Sequence, residues 1–363
     1  MRVVVLGGTG NFGARIVRAL KDDAGIELVA TGRRARSVPG AAEVPVARLD
    51  LGAADFASQL QALAPEVVIH TVGPFQGQDY RVARAALSCG AHYLDLADSR
   101  DFVSGFAQGL DAEARRAGRV AVSGASTLPA LSSAVVSALL QDGMTPVTIE
   151  AAIAPGQRAP RGVATLQAVF SYLGKAVRVW EEGRWVERTG WMDLRRVNLA
   201  FATRWGAVCD VPDLALLPGR YPSVRTVRFH AALEFGVQHL FLGCLAGLVR
   251  LGVPLPVTRW CVGLDRLASA FDWFAGGWGG MRVSVAGVTR EGRRVRRTWL
   301  LTAPALDGPE IPCMAAIALV RRLARGEEFE SGARACLDML ALQEFKPQFE
   351  RWKIRTWVLE EAA

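Results

Sequence analysis

The chain has 363 residues, 51% hydrophobic and 21% charged, which excludes a disordered or fibrous chain and leaves room for two domains. Arginine supplies nearly all of the positive charge behind the net +8, which reads either as codon bias or as attraction for anionic ligands. No basic tract is interleaved with aromatics, and the six cysteines and four histidines are scattered without CxxC spacing, so no nucleic-acid partner, metal site or disulfide framework is expected.

The first third alternates short apolar runs with amphipathic stretches. Strands are predicted at Val3–Leu6, Leu28–Thr31, Val44–Leu49, Val67–Val72, Tyr93–Ala97 and Val120–Ser123. Helices are predicted between them at Phe12–Lys21, Ala53–Leu63, Asp79–Ser88 and Asp101–Ala117. Right-handed βαβ crossovers then give a doubly wound parallel sheet of order 3-2-1-4-5-6, an α/β Rossmann architecture. After about Pro146 the alternation stops, and all ten Trp lie at or beyond Trp180. Val147–Ile153 reads as a strand, and Leu166–Val179 as a helix broken at Gly174. Arg178–Arg188 reads as a hairpin about Glu182-Gly183, and Met281–Val288 with Arg294–Thr302 as a second one turning at Glu291-Gly292. Ala315–Arg325 is a helix stopped by Gly326. The expected domains are residues 1–130, 131–305 and a helical segment 306–363 that returns to the first domain. The apolar stretch Leu240–Val249 ends at Arg250 and is too short to span a bilayer, which takes about 20 residues. The sequence starts directly on a strand with no leader pattern, so the expected compartment is the cytoplasm.

The first strand ends in Gly7-Gly8-Thr9-Gly10-Asn11-Phe12-Gly13. Glycines at this spacing, after a strand and before a helix, make a tight turn and let a pyrophosphate reach backbone amides at the helix N-terminus. Gly13 lets the helix pack closely on the sheet. After the second strand come Thr31-Gly32-Arg33-Arg34, where an NAD site would carry Asp or Glu. Guanidinium groups there suit a 2′-phosphate, so the expected cofactor is NADP(H). Asp50 follows the third strand and reads either as a partner of the adenine amino group or as a turn residue. The fourth strand ends at His70-Thr71-Val72-Gly73-Pro74-Phe75, a loop expected beside the nicotinamide ribose.

These residues resemble the saccharopine dehydrogenase-like family: the loop Gly7–Gly13, the Gly-Arg pair at 32–33, Gly73-Pro74-Phe75, and the segment from Gln78-Asp79-Tyr80 to Asp95-Leu96-Ala97. The resemblance is strong over about residues 1–130. Gly124-Ala125-Ser126 to Pro129 is similar to the family's loop after the sixth strand, and Gly308–Cys313 with the final helix resembles a bacterial branch of uncertain substrate. The resemblance implies a cofactor site at Gly7, Gly10, Asn11, Phe12, Gly13, Arg33, Arg34, Gly73, Pro74 and Phe75. It also implies a second α+β domain on a mixed sheet, used for dimerisation and substrate closure, so a homodimer is expected. No amino-acid-carboxylate motif of true saccharopine dehydrogenases appears after residue 150.

Hydride transfer needs an acid near the carboxyl ends of strands four to six. Asp98, after strand five, is the best-placed carboxylate, and Tyr80 is a second candidate; each also reads as local structure, an N-cap or a packing residue. Tyr93 and Asp95 read as structural. The loop Gln157–Gly162 reads as facing either cofactor and substrate or solvent, and His230 and His239 read as packed or surface residues. The region Phe229–Trp278 reads either as a core or dimer interface, or as an apolar tunnel or membrane-surface helix for a lipid-like substrate, with Arg250, Arg259 and Arg266 toward anionic headgroups. The function expected is reduction by NADPH of a small-molecule C=N, C=O or activated C=C compound, one form of which is hydrophobic. The alternative is a non-catalytic NADP-binding sensor or scaffold working through the apolar second domain.

Overall fold

The computed structural model describes residues 1–34 and 36–362. In chain order, the first elements are β1 (Arg2–Leu6), α1 (Asn11–Leu20), β2 (Glu27–Gly32), β3 (Val46–Arg48), α2 (Phe56–Ala62), β4 (Val67–His70), α3 (Arg81–Ser88), β5 (His92–Asp95), α4 (Arg100–Arg116) and β6 (Val120–Ser123). Next come α5 (Ser132–Leu139), β7 (Thr145–Ala154), α6 (Val163–Ser171), β8 (Ala176–Glu181), β9 (Arg184–Thr189), β10 (Arg195–Asn198), β11 (Thr203–Val208), α7 (Asp213–Arg220) and β12 (Thr226–Ala232). The chain ends with α8 (Gly236–Arg250), α9 (Val257–Ala268), β13 (Trp278–Val288), β14 (Arg294–Pro304), α10 (Met314–Ala324), β15 (Gly332–Ala335), α11 (Lys346–Arg351) and β16 (Arg355–Ala362).

Two compact units result: Met1–Leu131 with Glu310–Leu340, and Ser132–Pro309 with Ala341–Ala363. Among the described residues, the first unit builds a seven-stranded parallel sheet of order β15-β6-β5-β4-β1-β2-β3, the doubly wound order with one strand added. Its central strands are apolar on both faces because helices cover both; every residue of β4 is buried. α1 turns Ile16, Val17 and Leu20 onto the sheet and ends in a turn of basic character at Arg18. α10 returns to this unit, and its Arg321 pairs with Asp23 just beyond α1 at 2.7 Å.

The second unit holds a nine-stranded mixed sheet among the described residues, ordered β10-β11-β12-β7-β13-β14-β16 with β8 and β9 attached through β12. β7 pairs parallel with β12 and antiparallel with β13. Two expectations change here. The helix expected over Leu166–Val179 stops at Ser171, Gly174 turns the chain at φ +74°, and residues 176–179 become strand β8. Alternate burial of Val177 and Val179 against exposed Ala176 and Arg178 has the two-residue period of a strand. The expected helical segment 306–363 also divides. Residues 310–340 join the first unit, with β15 as an edge strand beside β6. Residues from 341 on join the second unit, where β16 covers the β14 edge over eight antiparallel pairs, Val295↔Ala362 to Thr302↔Arg355. Ala363, the last residue of that expected segment, lies outside the described residues. No described helix is long and apolar enough to cross a membrane.

Candidate dinucleotide site

All parts of the site described in this section lie in the first unit, at the carboxyl ends of its parallel strands. β1 runs into Gly7, whose φ of +77° is the left-handed conformation that glycine adopts without strain. A β-carbon there would lie 2.8 Å from Val72 Cγ2 and 2.9 Å from Thr71 Oγ1, so the loop after β4 presses directly on the glycine turn. Thr71 Oγ1 donates to the Leu6 carbonyl at 2.8 Å and fixes that contact. Gly10 N donates to the Gly7 carbonyl at 2.8 Å, and Gly10 then caps α1. Gly13 is pressed hardest: a β-carbon would sit 2.2 Å from Gly7 O. Gly10 is different, because a β-carbon there would meet nothing nearer than Gly7 O at 3.1 Å. Gly13 thus serves packing, whereas Gly10 keeps the exposed entrance of the helix clear. No acidic residue sits in the first turn of α1, so the positive end of its dipole stays uncompensated.

Asn11 and Phe12 open α1 and are half-buried. The Asn11 side chain accepts from Arg15 Nη1 at 2.8 Å, and the Phe12 carbonyl faces Cys313 Sγ at 3.5 Å. Below them Glu310 is buried and takes both Arg15 (3.1 Å) and Arg18 (3.3 Å), which anchors the helix that presents the loop.

Arg33 and Arg34 lie in an open groove of ≈ 740 Å³ lined by Thr9, Arg33, Arg34, Arg36, Ser37, Pro39 and Arg48. Gly32 brings this groove against the phosphate loop: a β-carbon on it would lie 2.8 Å from Thr9 Oγ1. Among the described residues, Arg33, Arg34, Arg36 and Arg48 have no hydrogen-bonded or ion-paired side-chain partner, and all four are exposed. No carboxylate lines the groove. Arg48, which ends β3, is a lining residue that sequence reasoning missed; it lies some fifteen positions from Arg33 and joins it only because β2 and β3 pair in parallel. Asp50 is exposed and its Oδ1 accepts from Gly52 N at 3.0 Å, the turn-forming reading of that residue.

Gly73 and Pro74 are half-buried and Phe75 is buried, edge-on to His70 at 4.9 Å and to Phe102 at 5.3 Å. Gln78 Nε2 donates to the Val72 carbonyl at 2.9 Å and the Pro74 carbonyl at 2.6 Å, clamping this loop from inside. That clamp was missed as well; a glutamine four residues after a Gly-Pro is its only sequence trace. Burial pushes the His70 imidazole down to about 3, so it stays neutral, and its Nδ1 meets the Tyr93 hydroxyl at 2.9 Å. Asp95 is buried at the end of β5. Its Oδ1 accepts from Ala97 N (3.0 Å), Ser123 Oγ (2.9 Å) and Gly124 N (2.8 Å), tying the ends of β5 and β6 together. Burial pushes its carboxyl up to about 6, with those hydrogen bonds pulling the other way.

The two proton-donor candidates part company. Asp98 carries exposed surface, yet enough protein crowds its carboxyl for desolvation to raise the pKa above the ordinary carboxylate range; a hydrogen bond from Gln76 Nε2 to Oδ1 at 3.2 Å opposes the shift. Tyr80 instead donates its hydroxyl to the Phe102 carbonyl at 2.9 Å, with its ring edge-on to Phe102 and Phe106 and laid over Gly105 and Gly109. These contacts match the packing reading of Tyr80, which ties the start of α3 to α4.

The polar loop Gln157–Gly162, in the second unit, also proves to be engaged within its own unit. Gln157 is buried and donates to the Ala268 carbonyl and Asp272, Arg161 pairs with Asp265 at 2.6 Å, and Arg158 donates to the Asp272 carbonyl. His230 and His239 are buried, and desolvation pushes both down to about 4.

Residues 3–122 match the family model described as the saccharopine dehydrogenase NADP binding domain. No curated protein sequence matches the chain. Among solved structures, the saccharopine dehydrogenase (L-Glu forming) of Saccharomyces cerevisiae superposes with a TM-score of 0.72 at 12% identity, covering 99% of this chain and 100% of that one. The homospermidine synthase of Legionella pneumophila, in complex with NAD, gives 0.66 at 11% identity over 99% and 91% of the two chains. An engineered D-amino acid dehydrogenase bound to NADP+ gives 0.52 at 16% identity over 96% and 99%. At these identities the likeness is one of fold alone. The glycine loop and the arginine groove both lie within residues 3–122, the part of the chain that matches the saccharopine dehydrogenase NADP binding domain.

Proposed function

We propose that the chain is an NADPH-dependent reductase acting on a C=N, C=O or activated C=C bond. The observation that carries this reading is the groove at the ends of β1, β2 and β3, where Arg33, Arg34, Arg36 and Arg48 converge with no carboxylate among the lining residues. A ribose that ends in hydroxyls gains little from such a surface, whereas a 2′-phosphate takes charge-assisted hydrogen bonds from it. Bound NADPH supplies the hydride. The residues of the chain do the rest: Gly10 leaves the amides at the start of α1 open to the pyrophosphate, and the Gln78 clamp holds Gly73–Phe75 in place for the nicotinamide ribose. Asp98, with its raised pKa, keeps a proton at higher pH than an ordinary carboxyl and delivers it to the nitrogen, oxygen or carbon left basic by reduction. Fluorescence titration of the purified protein with NADPH and NADH, followed by turnover with a panel of imines, ketones and enones, tests the proposal. Tight NADPH binding and consumption of NADPH with at least one acceptor class are expected. Equal affinity for the two cofactors defeats the NADP assignment, and NADPH binding without turnover on any acceptor favours a sensor.

A further inference from the structure

The second unit carries an apolar surface that the reductase chemistry does not use. α8 runs through Leu251–Pro256 into α9, which packs on α6, and the start of α8 meets the segment after α9 where the Phe235 and Phe271 rings are 5.3 Å apart. Gln157 bridges the same junction, accepting from Gln238 at 3.2 Å and donating to the Ala268 carbonyl at 2.8 Å. The inner face is ordinary: His239, Leu242 and Ala246 of α8 and Val257 and Cys261 of α9 are buried. The outer face is not. Val237, Phe241, Cys244 and Leu248 fall at positions i, i+4, i+7 and i+11 of α8, and all are exposed. A solvent-facing stripe is normally charged, yet the only Asp, Glu, Lys or Arg in α8 is Arg250 at its last position.

The segments that follow the two helices carry apolar side chains that protrude almost freely: Leu251 is 83% exposed, Trp273 86% and Phe274 75%. On α9, Arg259 and Arg266 stand two turns apart, exposed and with no ion-pair partner among the described residues. The neighbouring acids are already engaged, since Asp265 pairs with Arg161 and Asp272 accepts from Gln157. An exposed apolar stripe on one helix, unpaired arginines on the next and an exposed tryptophan after it are the residue types that meet the headgroup boundary of an anionic membrane. α8 has 15 residues and no described helix is a candidate span, so such contact would lie in the plane of the surface. A second copy of the chain fits less well. It would need pockets for three protruding side chains and free carboxylates for the arginines, and this surface offers no spare carboxylate.

We propose that α8, α9 and the segments that follow them seat the protein on anionic lipid surfaces, with Leu251, Trp273 and Phe274 entering the headgroup layer and Arg259 and Arg266 held by lipid phosphates. This inference stands apart from the reductase assignment, because it concerns the second unit and is read without cofactor or substrate. The test is co-sedimentation of the full-length protein with vesicles of phosphatidylcholine alone and of phosphatidylcholine with phosphatidylglycerol. Binding to the anionic vesicles only, weakened by salt, is expected. Trp273→Ala/Phe274→Ala should abolish it, and Arg259→Gln and Arg266→Gln should each weaken it roughly five-fold. The Tm and far-UV circular dichroism of the variants should match the wild type and confirm that they are folded. No binding to anionic vesicles, or binding that survives Trp273→Ala/Phe274→Ala, overturns the proposal. So does a lipid-free dimer in sedimentation equilibrium that the same double variant dissociates, which would give the face to a second copy.

Discussion

Replacing Arg33 by alanine tests the cofactor assignment at its sharpest point. Arg33 lines the groove with three other arginines, and none of the four is neutralised by a described neighbour. A charge-assisted hydrogen bond contributes about 1.5–3 kcal/mol, and an exposed site belongs at the lower end because water and salt screen it. A loss of about 1.5 kcal/mol is roughly tenfold in Kd. Arg34, Arg36 and Arg48 remain in the groove and retain part of the attraction, so Arg33→Ala/Arg34→Ala should lose more than either single change. NADH lacks the 2′-phosphate, and its affinity should move little. Titrating wild type, single and double variants with both cofactors by fluorescence gives four ratios. The expected pattern is a fall in the NADPH-to-NADH preference by about tenfold and then further, with the preference of the wild type itself shrinking at high salt. If Arg33→Ala weakens both cofactors alike, the groove is a general dinucleotide surface and the phosphate argument fails.

The two loop glycines make opposite predictions. Gly13→Ala places a β-carbon 2.2 Å from Gly7 O and should cost roughly 3 kcal/mol, visible as a lowered Tm. Gly10→Ala places its β-carbon 3.1 Å from Gly7 O, which needs only a small shift, so it should lose far less Tm than Gly13→Ala while losing NADPH affinity; equal Tm losses for the two variants would refute the division of roles. For Asp98, an acid that must be protonated to act, reduction should slow as the pH rises through its raised pKa, and Asp98→Asn should lower kcat and flatten that limb; an unchanged profile removes it as the donor. Asp213, buried at the start of α7, has its carboxyl pushed up by burial to about 7 from 3.8, with Ser132 pulling the other way. Because the folded pKa lies above the unfolded one, its contribution to stability is full below about pH 4 and is lost as the pH rises through about 7, by up to ~4 kcal/mol. Asp213→Asn should therefore raise Tm at pH 8 more than at pH 4, and equal shifts at the two pH values would refute the linkage.

The parallel sheet was legible because each strand is an apolar run bounded by a helix with its own period, and because glycine spacing marks the β1–α1 turn whatever surrounds it. Strand β15 was not, because Gly-Ala-Arg-Ala has little strand character and becomes a strand only by pairing with β6. The helix expected through residue 179 shows the converse: a Gly174 in the left-handed region overrides an apolar continuation that fits both periods over a few residues. In the sequence Asp98 stands ahead of Tyr80 as a candidate, and each also reads as local structure. What separates them is a carbonyl of Phe102 22 positions from Tyr80 and the crowding around Asp98, neither of which has a local signature. Arg158 and Arg161 likewise looked free to meet a substrate, and their partners Asp272 and Asp265 lie over a hundred residues further on.

That contrast gives the arginine groove its weight. Arginine is this chain's general-purpose cation, and in the first unit most of it is spent on structure. Arg15 and Arg18 hold Glu310, Arg84 holds Glu113, Arg115 holds Asp111 and Glu330, Arg321 holds Asp23 and Arg322 holds Glu327. Against that background, Arg33, Arg34, Arg36 and Arg48 stand together without carboxylates, at the one edge of the sheet where the phosphate loop, β2 and β3 converge. Like charges gathered without counter-ions destabilise the fold that gathers them. A concentration of that kind, in a unit that neutralises its arginines elsewhere, is what a site looks like when its missing charge arrives with the ligand.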